Sequence, residues 1–453
     1  MHIQFLGATG TVTGSKYLVT VGTKKILIDC GLFQGYKQLR LRNWAALPVD
    51  PSAIDAVILT HAHIDHTGYL PLLVKNGFRG KVYCSSGTRD LCKVLLPDAA
   101  HLQEEEARYA NRKGFSKHKP ALPLYTLADA EHALRAIKAV EFGQRIELDE
   151  GIDFHLSPSG HILGSAFISL RAQGRLVLFS GDLGRPHDPI MNDPAVIEQA
   201  DYLVIESTYG DRLHGHDDPA QKLGAVLNRT FSRGGVVVIP AFAVDRTQTL
   251  MYYIAQLKAA GTIPESVPVY LNSPMAVNVT RIFNEHRAEH RLTAEQCEAT
   301  FGAVRIINSV EESEALNRKT GPMVIISASG MATGGRVVHH IKAFAPDARN
   351  TILFAGYQAG GTRGAAMVAG AKSVKIHGAY VPVEAEIAQL NNLSAHADYA
   401  ETLEWLAHFR APPHTTFITH GEPPAADALR LRIEERFGWQ CRVPDYLESV
   451  ALA

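Results

Sequence analysis

The segment His61-Ala62-His63-Ile64-Asp65-His66 places four potential metal ligands within six residues, directly after the apolar run Val57-Ile58-Leu59-Thr60. A buried strand that feeds such a turn calls for a sheet-based fold in which the ligand loop sits at a strand end. In a tight loop, alternate side chains converge while their neighbours point elsewhere. His61 and His63 can therefore share one cation, and Asp65 and His66 a second. Imidazole with carboxylate suits Zn²⁺, and Mn or Fe satisfies the same residue types. The spacing is not the H-E-x-x-H of a helical zinc protease.

Three later positions share this setting. His161 lies in Ser159-Gly160-His161-Ile162-Leu163-Gly164, Asp182 in Phe179-Ser180-Gly181-Asp182, and His420 in Phe417-Ile418-Thr419-His420-Gly421-Glu422. Each stands where a strand gives way to a glycine-bearing turn, and small residues let the backbone approach a metal closely. With the first cluster they complete a dinuclear set, and Asp182 can bridge because a carboxylate has two oxygens. Other histidines differ. His339 and His340 lie on an expected helix, and His214 and His216 in a polar loop. His286 and His290, four apart on an expected helix face, find no third ligand nearby and read as solvated or packed.

The surrounding pattern is α/β. Lys25–Asp29, Ala56–Thr60, Arg175–Phe179 and Tyr202–Glu206 read as buried strands. Before about residue 208 helical patterns are few, mainly 68–75 and a stretch near 88–96. From about 215 helix and strand alternate: helix 221–231, strand 236–239, helix 247–259, strand 268–271, then strands 323–327 and 351–354 around a helix at 336–344. That rhythm predicts a parallel sheet with covering helices. Helix 399–409, strand 415–419 and helix 425–437 follow. At ~150 residues per domain, 453 residues give two or three domains.

Composition narrows the function classes. With 46% hydrophobic and 20% charged residues the chain can build large cores. Lys+Arg 45 against Asp+Glu 46 excludes nucleic-acid binding by bulk positive charge, so any polyanion site is local. Basic residues between 108 and 119 read as a solvated face. No apolar run approaches the ~20 residues of a membrane span, and the N-terminus carries no signal-peptide pattern. Five scattered cysteines without a C-x-x-C pair argue against a disulfide framework and for a reducing cytoplasm.

The sequence resembles the metallo-β-lactamase superfamily, and within it the β-CASP branch of zinc-dependent nucleases. The resemblance runs along essentially the whole chain. It is carried by Leu6–Ser15, Ile28-Asp29-Cys30-Gly31-Leu32-Phe33-Gln34-Gly35, Glu206-Ser207-Thr208-Tyr209-Gly210, Ser394-Ala395-His396-Ala397-Asp398 and His420-Gly421-Glu422. It is most similar to bacterial and archaeal relatives of the nuclease subunit of the cleavage and polyadenylation specificity factor. The resemblance implies an αββα sandwich with an inserted α/β domain. Residues 1–208 would begin the lactamase domain, 209–390 form the β-CASP insertion and 391–453 complete the lactamase domain, with catalysis in the cleft between them.

It also implies two Zn²⁺ per chain, with Mn²⁺ an alternative. His61, His63 and His161 would hold one ion, Asp65, His66 and His420 the other. Asp182 would bridge them, and Asp29 would orient the ligand loop. Glu206, His396 and His420 match β-CASP motifs A, B and C. Histidine at the third position is the pattern of RNA-acting members, where DNA-acting ones carry valine. Asp65, Glu206 and His396 are the expected catalytic residues: a metal-activated hydroxide attacks a phosphodiester, and His396, held by Glu206, protonates the leaving oxygen. The products would be a 5′-phosphate and a 3′-hydroxyl, by endonucleolytic or 5′-exonucleolytic cleavage.

RNA phosphate would be held by two glycine-rich loops. One is 327–336, with Ser329, Gly330, Thr333, Gly334 and Arg336. The other is 356–364, with Gly360, Thr362 and Arg363. Family members often carry arginine where Ala365 stands, so Arg363 is the expected substitute, and Asn272 replaces a common aspartate. The expected partner is RNA, with no membrane association and a homodimer left open. Two other readings remain at this point: a lactamase-fold hydrolase of a small ester or thioester, and a non-catalytic RNA-binding scaffold.

Overall fold

A computed structural model describes residues 1–453 except 115, 216, 357 and 359. His216 of the polar loop and Tyr357 and Ala359 of the second glycine loop thus lie outside the described residues. The chain forms two compact units, one of residues 1–213 with 396–453, the other of residues 214–395.

The first unit stacks two seven-stranded sheets. In spatial order, one contains Ser449–Ala451, His2–Phe5, Tyr17–Val21, Lys24–Ile28, Ala56–Ile58, Lys81–Cys84 and Ile137–Ala139. The other contains Cys441–Arg442, Thr415–Thr419, Tyr202–Glu206, Arg175–Phe179, Ala166–Ala172, Ile152–Pro158 and Ile146–Asp149. Their inner faces share one core of Ile3, Phe5, Val19, Ile26, Ile28, Phe154, Leu170, Val177, Phe179 and Phe417. The alternate residues Phe167, Leu178, Leu203, Ile205 and Ile418 point outward, as a two-residue period requires. They pack under Leu403, Trp405, Leu429 and Ile433 of helices Tyr399–Leu406 and Pro423–Phe437. Helices Leu70–Lys75, Ser86–Lys113 and Leu127–Leu134 pack together and against the first sheet. This is the αββα arrangement expected.

The second unit has a six-stranded sheet, all parallel: Arg305–Ile306, Val269–Leu271, Met323–Ser327, Val236–Pro240, Thr351–Ala355 and Glu386–Leu390. Strands such as Val236–Pro240 and Met323–Ser327 are buried throughout, because helices cover both faces. Pro219–Ser232 and Arg246–Ala259 close one core, and Arg336–Phe344 with a hairpin of Ser373–Ile376 and Ala379–Pro382 closes the other.

Two sequence expectations change. The helix near 88–96 runs from Ser86 to Lys113, with Pro97 inside it. Proline biases a boundary in sequence, but buried Ala100, Ala107 and Ala110 keep the helix docked beyond it, and Gly114 in the left-handed region ends it. His286 and His290 do not share a helix face. Their helix ends at Glu285, His286 caps it, and His290 is extended and stacks on Phe283 at 4.1 Å. All five cysteines are free. Among the described residues no helix is long and apolar enough to cross a membrane.

One glycine fixes the approach of the ligand loop. A Cβ on Gly31 would lie 1.5 Å from the Asp65 carbonyl oxygen. Gly22 is the control, with φ +59 and nothing within 4 Å of its Cβ position. Gly31→Ala is expected to destabilise the metal-free protein by more than about 3 kcal/mol, because backbone must move. Gly22→Ala should cost only about 1–2 kcal/mol through its left-handed φ. Equal losses in urea denaturation would contradict the close approach.

Candidate active site

The site is built at strand ends of the first unit. His61 follows strand Ala56–Ile58, and the short helix Ile64–Thr67 starts at His63, so Asp65 and His66 fall on its first turn. His161 follows Ile152–Pro158, Asp182 follows Arg175–Phe179, Glu206 ends Tyr202–Glu206, and His420 follows Thr415–Thr419. Glycines let these loops lie against one another. A Cβ on Gly184 would be 2.0 Å from the Gly160 carbonyl carbon, and one on Gly421 would be 2.2 Å from Ser207 Oγ. The small residues of these turns thus serve loop-on-loop packing, where the sequence reading assigned them to metal approach.

Asp29 anchors the ligand loop. It is fully buried, and Oδ1 accepts from Thr60 N–H at 2.8 Å. Its Oδ2 accepts from Thr60 Oγ1 at 2.9 Å, Ser15 Oγ at 3.1 Å and His66 Nδ1 at 2.7 Å. A buried carboxylate is tolerable only with such a full set of donors. Asp29 takes φ +56, a left-handed conformation that aspartate adopts more readily than most residues.

Two donor sets converge beside it. His61, His63, His161 and Asp182 form one, and Asp65, His66 and His420 the other, with the donor atoms of each set within 4.8 Å of one another. Asp182 faces both. Its Oδ2 is 3.3 Å from His61 Nε2 and 3.4 Å from His161 Nε2, while Oδ1 is 3.2 Å from His66 Nε2 and 3.5 Å from His420 Nδ1. Asp65 Oδ2 lies 3.5 Å from His420 Nε2.

This donor set fits divalent cations. His61 Nε2 and His63 Nδ1 are 3.1 Å apart, His161 Nε2 and His63 Nδ1 3.3 Å, and His66 Nε2 and His420 Nε2 3.0 Å. Ring nitrogens crowd this closely where lone pairs aim at a common point. Asp182 Oδ1 is buried and makes no hydrogen bond despite its two imidazole neighbours. Burial first, then His66, pushes His61 below its ordinary value. Burial and His61 push His63 down to about 3, and burial with His396 pushes His161 well down. These rings are therefore neutral and ready to ligate. Burial would raise Asp65 and Asp182, but the adjoining imidazoles outweigh it and hold both carboxylates below their ordinary range. Burial would lower His66, yet Asp182 and Asp29 lift it well above 6.5. Without a metal, a proton on His66 is what two carboxylates have for a counter-charge.

Beside the first set, His396 Nδ1 lies 3.0 Å from Glu206 Oε1 and 3.1 Å from Oε2, and 4.0 Å from Asp182 Oδ2. Burial opposes its charge, but Glu206 and then Asp182 raise His396 to about 9. Glu206 also accepts from Leu183 N–H at 2.7 Å and Thr208 N–H at 3.2 Å, which fixes the carboxylate. Asp398 caps helix Tyr399–Leu406 with Glu401 completing a capping box, so His396 is held two residues ahead of a firm helix start.

Residues that the sequence reading missed complete the site. Thr60 Oγ1 lies 3.1 Å from His61 Nδ1, and Thr208 Oγ1 lies 3.2 Å from His420 Nδ1. Tyr209 stacks on His396 at 6.1 Å. Each neighbours an assigned residue in sequence, which was the available signal. In the second unit, Ser329 Oγ and Thr333 Oγ1 bond each other at 3.1 Å, and Thr362 caps the helix Arg363–Val368. Gly330, Gly334 and Gly360 lie in the expected turns. Arg336 is spent on Asn272 Oδ1 at 2.8 Å and on the Ile307 and Asn308 carbonyls. Arg363 bonds the Ala332 and Lys375 carbonyls.

Comparisons with known proteins agree with this architecture. The metallo-beta-lactamase superfamily model matches residues 9–239, the Beta-Casp domain model residues 247–367, and that of the Zn-dependent metallo-hydrolase RNA specificity domain residues 380–444. Ribonuclease TTHA0252 of Thermus thermophilus is 36% identical, over 95% of this chain and 95% of that protein. Transcription termination factor FttA of Methanosarcina mazei is 30% identical, over 100% of this chain and 72% of that one. A solved structure of a protein of unknown function from Enterococcus faecalis shares the fold, with a TM-score of 0.56 at 14% identity over 100% of this chain and 99% of that one. The buried donor sets at the strand ends of an αββα sandwich, with these matches along its length, make the chain a metal-dependent hydrolase fold of the metallo-β-lactamase superfamily, in its β-CASP family.

Proposed function

We propose that this protein is a ribonuclease that hydrolyses RNA phosphodiester bonds with two Zn²⁺ ions, leaving a 5′-phosphate and a 3′-hydroxyl. The observation that carries the reading is the Glu206–His396 pair set against Asp182, whose two oxygens face separate donor sets. His61, His63 and His161 would hold one ion, and Asp65, His66 and His420 the other, with Asp182 between them. The ions, when bound, lower the pKa of water and stabilise negative charge on a phosphoryl group.

The chain's own residues do the rest. Glu206 accepts the Nδ1 proton of His396, so the opposite ring nitrogen is the one that delivers a proton to the departing sugar oxygen. Tyr209 and His161 flank the imidazole and fix its plane. Asp29 fixes the His66 tautomer, leaving Nε2 to ligate. His420, at the third motif position, favours RNA over DNA. Strand Tyr202–Glu206 pairs in parallel with Thr415–Thr419, which supports reading 209–390 as an insertion between sheet neighbours. Free, mostly buried cysteines favour a cytoplasmic setting.

The deciding experiment digests one RNA labelled at either end, with and without a chelator. Cleavage that stops on chelation and returns with Zn²⁺ is expected. Turnover of small esters with RNA left intact would establish the ester hydrolase, and intact RNA with no bound transition metal the scaffold.

Paired variants separate the roles. His396→Ala should keep both metals and lose about 10²–10⁴-fold in cleavage. His420→Ala should lose metal from one site, read by elemental analysis after gel filtration. Two tightly held zinc equivalents in His420→Ala, or normal turnover in His396→Ala, would remove that residue from its role.

The acid also has a pH signature. A group raised above its ordinary value by a neighbouring carboxylate keeps its proton to higher pH, so cleavage should fall on the alkaline side. Glu206→Gln removes the raising charge, and the alkaline limb of kcat/KM should move to lower pH. An unmoved limb would mean that it reports another group.

A further inference from the structure

The second unit holds a buried guanidinium whose Nε finds no hydrogen-bond partner among the described residues. Arg246 opens helix Arg246–Ala259 and is 8% exposed. Its Nε has no partner, and its nearest acid among the described residues is Asp245 Oδ2 at 4.0 Å, beyond hydrogen-bonding reach. Burying a charge whose nearest acid lies at 4.0 Å, with an N–H left without a hydrogen bond, is costly, and a ligand that accepts from that group would relieve it. Arg336 and Arg363 each engage protein acceptors, whereas Arg246 Nε engages none among the described residues.

The backbone before Arg246 is strained to place it. Asp245 has φ +66 and ψ −66, and Arg246 N–H donates to the Val244 carbonyl at 2.8 Å, a γ-turn of the rare positive-φ kind. Such strain persists where surrounding structure enforces it, typically at ligand clamps. Thr247 supplies the enforcement, donating to the Phe242 carbonyl from N–H at 3.2 Å and Oγ1 at 2.7 Å. Gln248, buried in the same turn, donates to the Ala243 carbonyl at 3.2 Å.

The same loop presents an aromatic face. Phe242 is 41% exposed, and its ring lies so close to Gly330 that a Cβ there would be 2.7 Å from Phe242 Cδ2. The absence of a side chain at Gly330 thus leaves room for the ring. The loop leaves the carboxyl end of strand Val236–Pro240, whose neighbours on both sides are parallel strands from later in the chain. That is the edge where open parallel sheets bind ligands. Gly356, after one of those neighbours, flanks the guanidinium, with its Cβ position 3.9 Å from Nη2.

We propose that Phe242 and Arg246 form a one-nucleotide subsite for single-stranded RNA, Phe242 stacking on a base and Arg246 binding the adjacent phosphate. The proposal rests on the ribonuclease reading. A partly exposed aromatic ring accepts any base, and a guanidinium offers a phosphate two parallel N–H donors. Three residues separate the two along a pinned loop, so base and phosphate of one nucleotide can be engaged together.

The test measures binding of a fluorescein-labelled single-stranded RNA of mixed sequence by anisotropy across a KCl series. The protein is full-length and zinc-loaded, with His396→Ala to suppress cleavage. Adding Phe242→Ala should weaken binding about tenfold at every salt concentration, with the slope of log K against log salt unchanged. Adding Arg246→Gln should weaken binding and make that slope shallower by about 0.7, the value for one phosphate of a single strand. Arg246→Lys should restore the slope. RNA binding with the parent's affinity and slope in both variants overturns the subsite and leaves the ribonuclease reading standing. A parent that binds no RNA overturns both. If Arg246→Gln melts at lower temperature, the exposed Phe242 decides the outcome alone.

Discussion

The site depends on one buried carboxylate. Asp29 is sealed from water and satisfied by the Thr60 backbone, the Thr60 and Ser15 hydroxyls and the His66 ring. Each of those donors lies on a different piece of the ligand-bearing structure: the end of a strand, the opening loop and the short helix. A charge that would be costly to bury alone becomes the point that holds three segments in register. It also decides the chemistry of His66. With Nδ1 committed to Asp29, Nε2 turns toward Asp182 and His420, where a proton or a metal must sit.

Topology then brings the remaining groups to the same edge. Strands Arg175–Phe179, Tyr202–Glu206 and Thr415–Thr419 are consecutive parallel neighbours. Their carboxyl ends therefore lie side by side and deliver Asp182, Glu206 and His420 together, although His420 lies more than 200 residues beyond the other two in sequence. The facing sheet delivers His61 to His66 from the end of Ala56–Ile58. The shared apolar core between the sheets sets the distance between these edges. Side chains at strand ends inherit the rigidity of that packing, which a catalytic geometry needs.

How much of this was legible in the sequence varied with the range of the interaction. The ligand cluster was legible because its residues are adjacent, and Asp182, His161 and His420 because each ends an apolar run at a glycine. Fold class followed from the change in rhythm near residue 215. What failed was long-range or hidden by local signals. The helix from Ser86 continues past Pro97 because buried alanines dock it, a tertiary effect. The helix expected to carry His286 and His290 ends at Glu285, and the extended His290 stacks on Phe283. Arg336 and Arg363 follow glycine loops, and neither sequence position shows that protein acceptors engage part of each guanidinium. The unsatisfied Nε of Arg246 likewise exists only in three dimensions.

The neutral balance of the chain ties these observations together. A formal net charge of -1 provides no general attraction for a polyanion. Affinity must then come from a few desolvated contacts whose strength does not depend on a diffuse field. A guanidinium on one phosphate carries the salt dependence of that single contact, and base stacking carries hardly any. A protein that binds RNA in this way gives up long-range capture and gains contacts that are indifferent to base identity. Such contacts suit an enzyme whose proposed acid, His396, meets only the sugar oxygen that every nucleotide shares. Asp65 and Asp182 are held ionised by the imidazoles around them, and the cations that those groups would gather add positive charge where the chain's net balance supplies none.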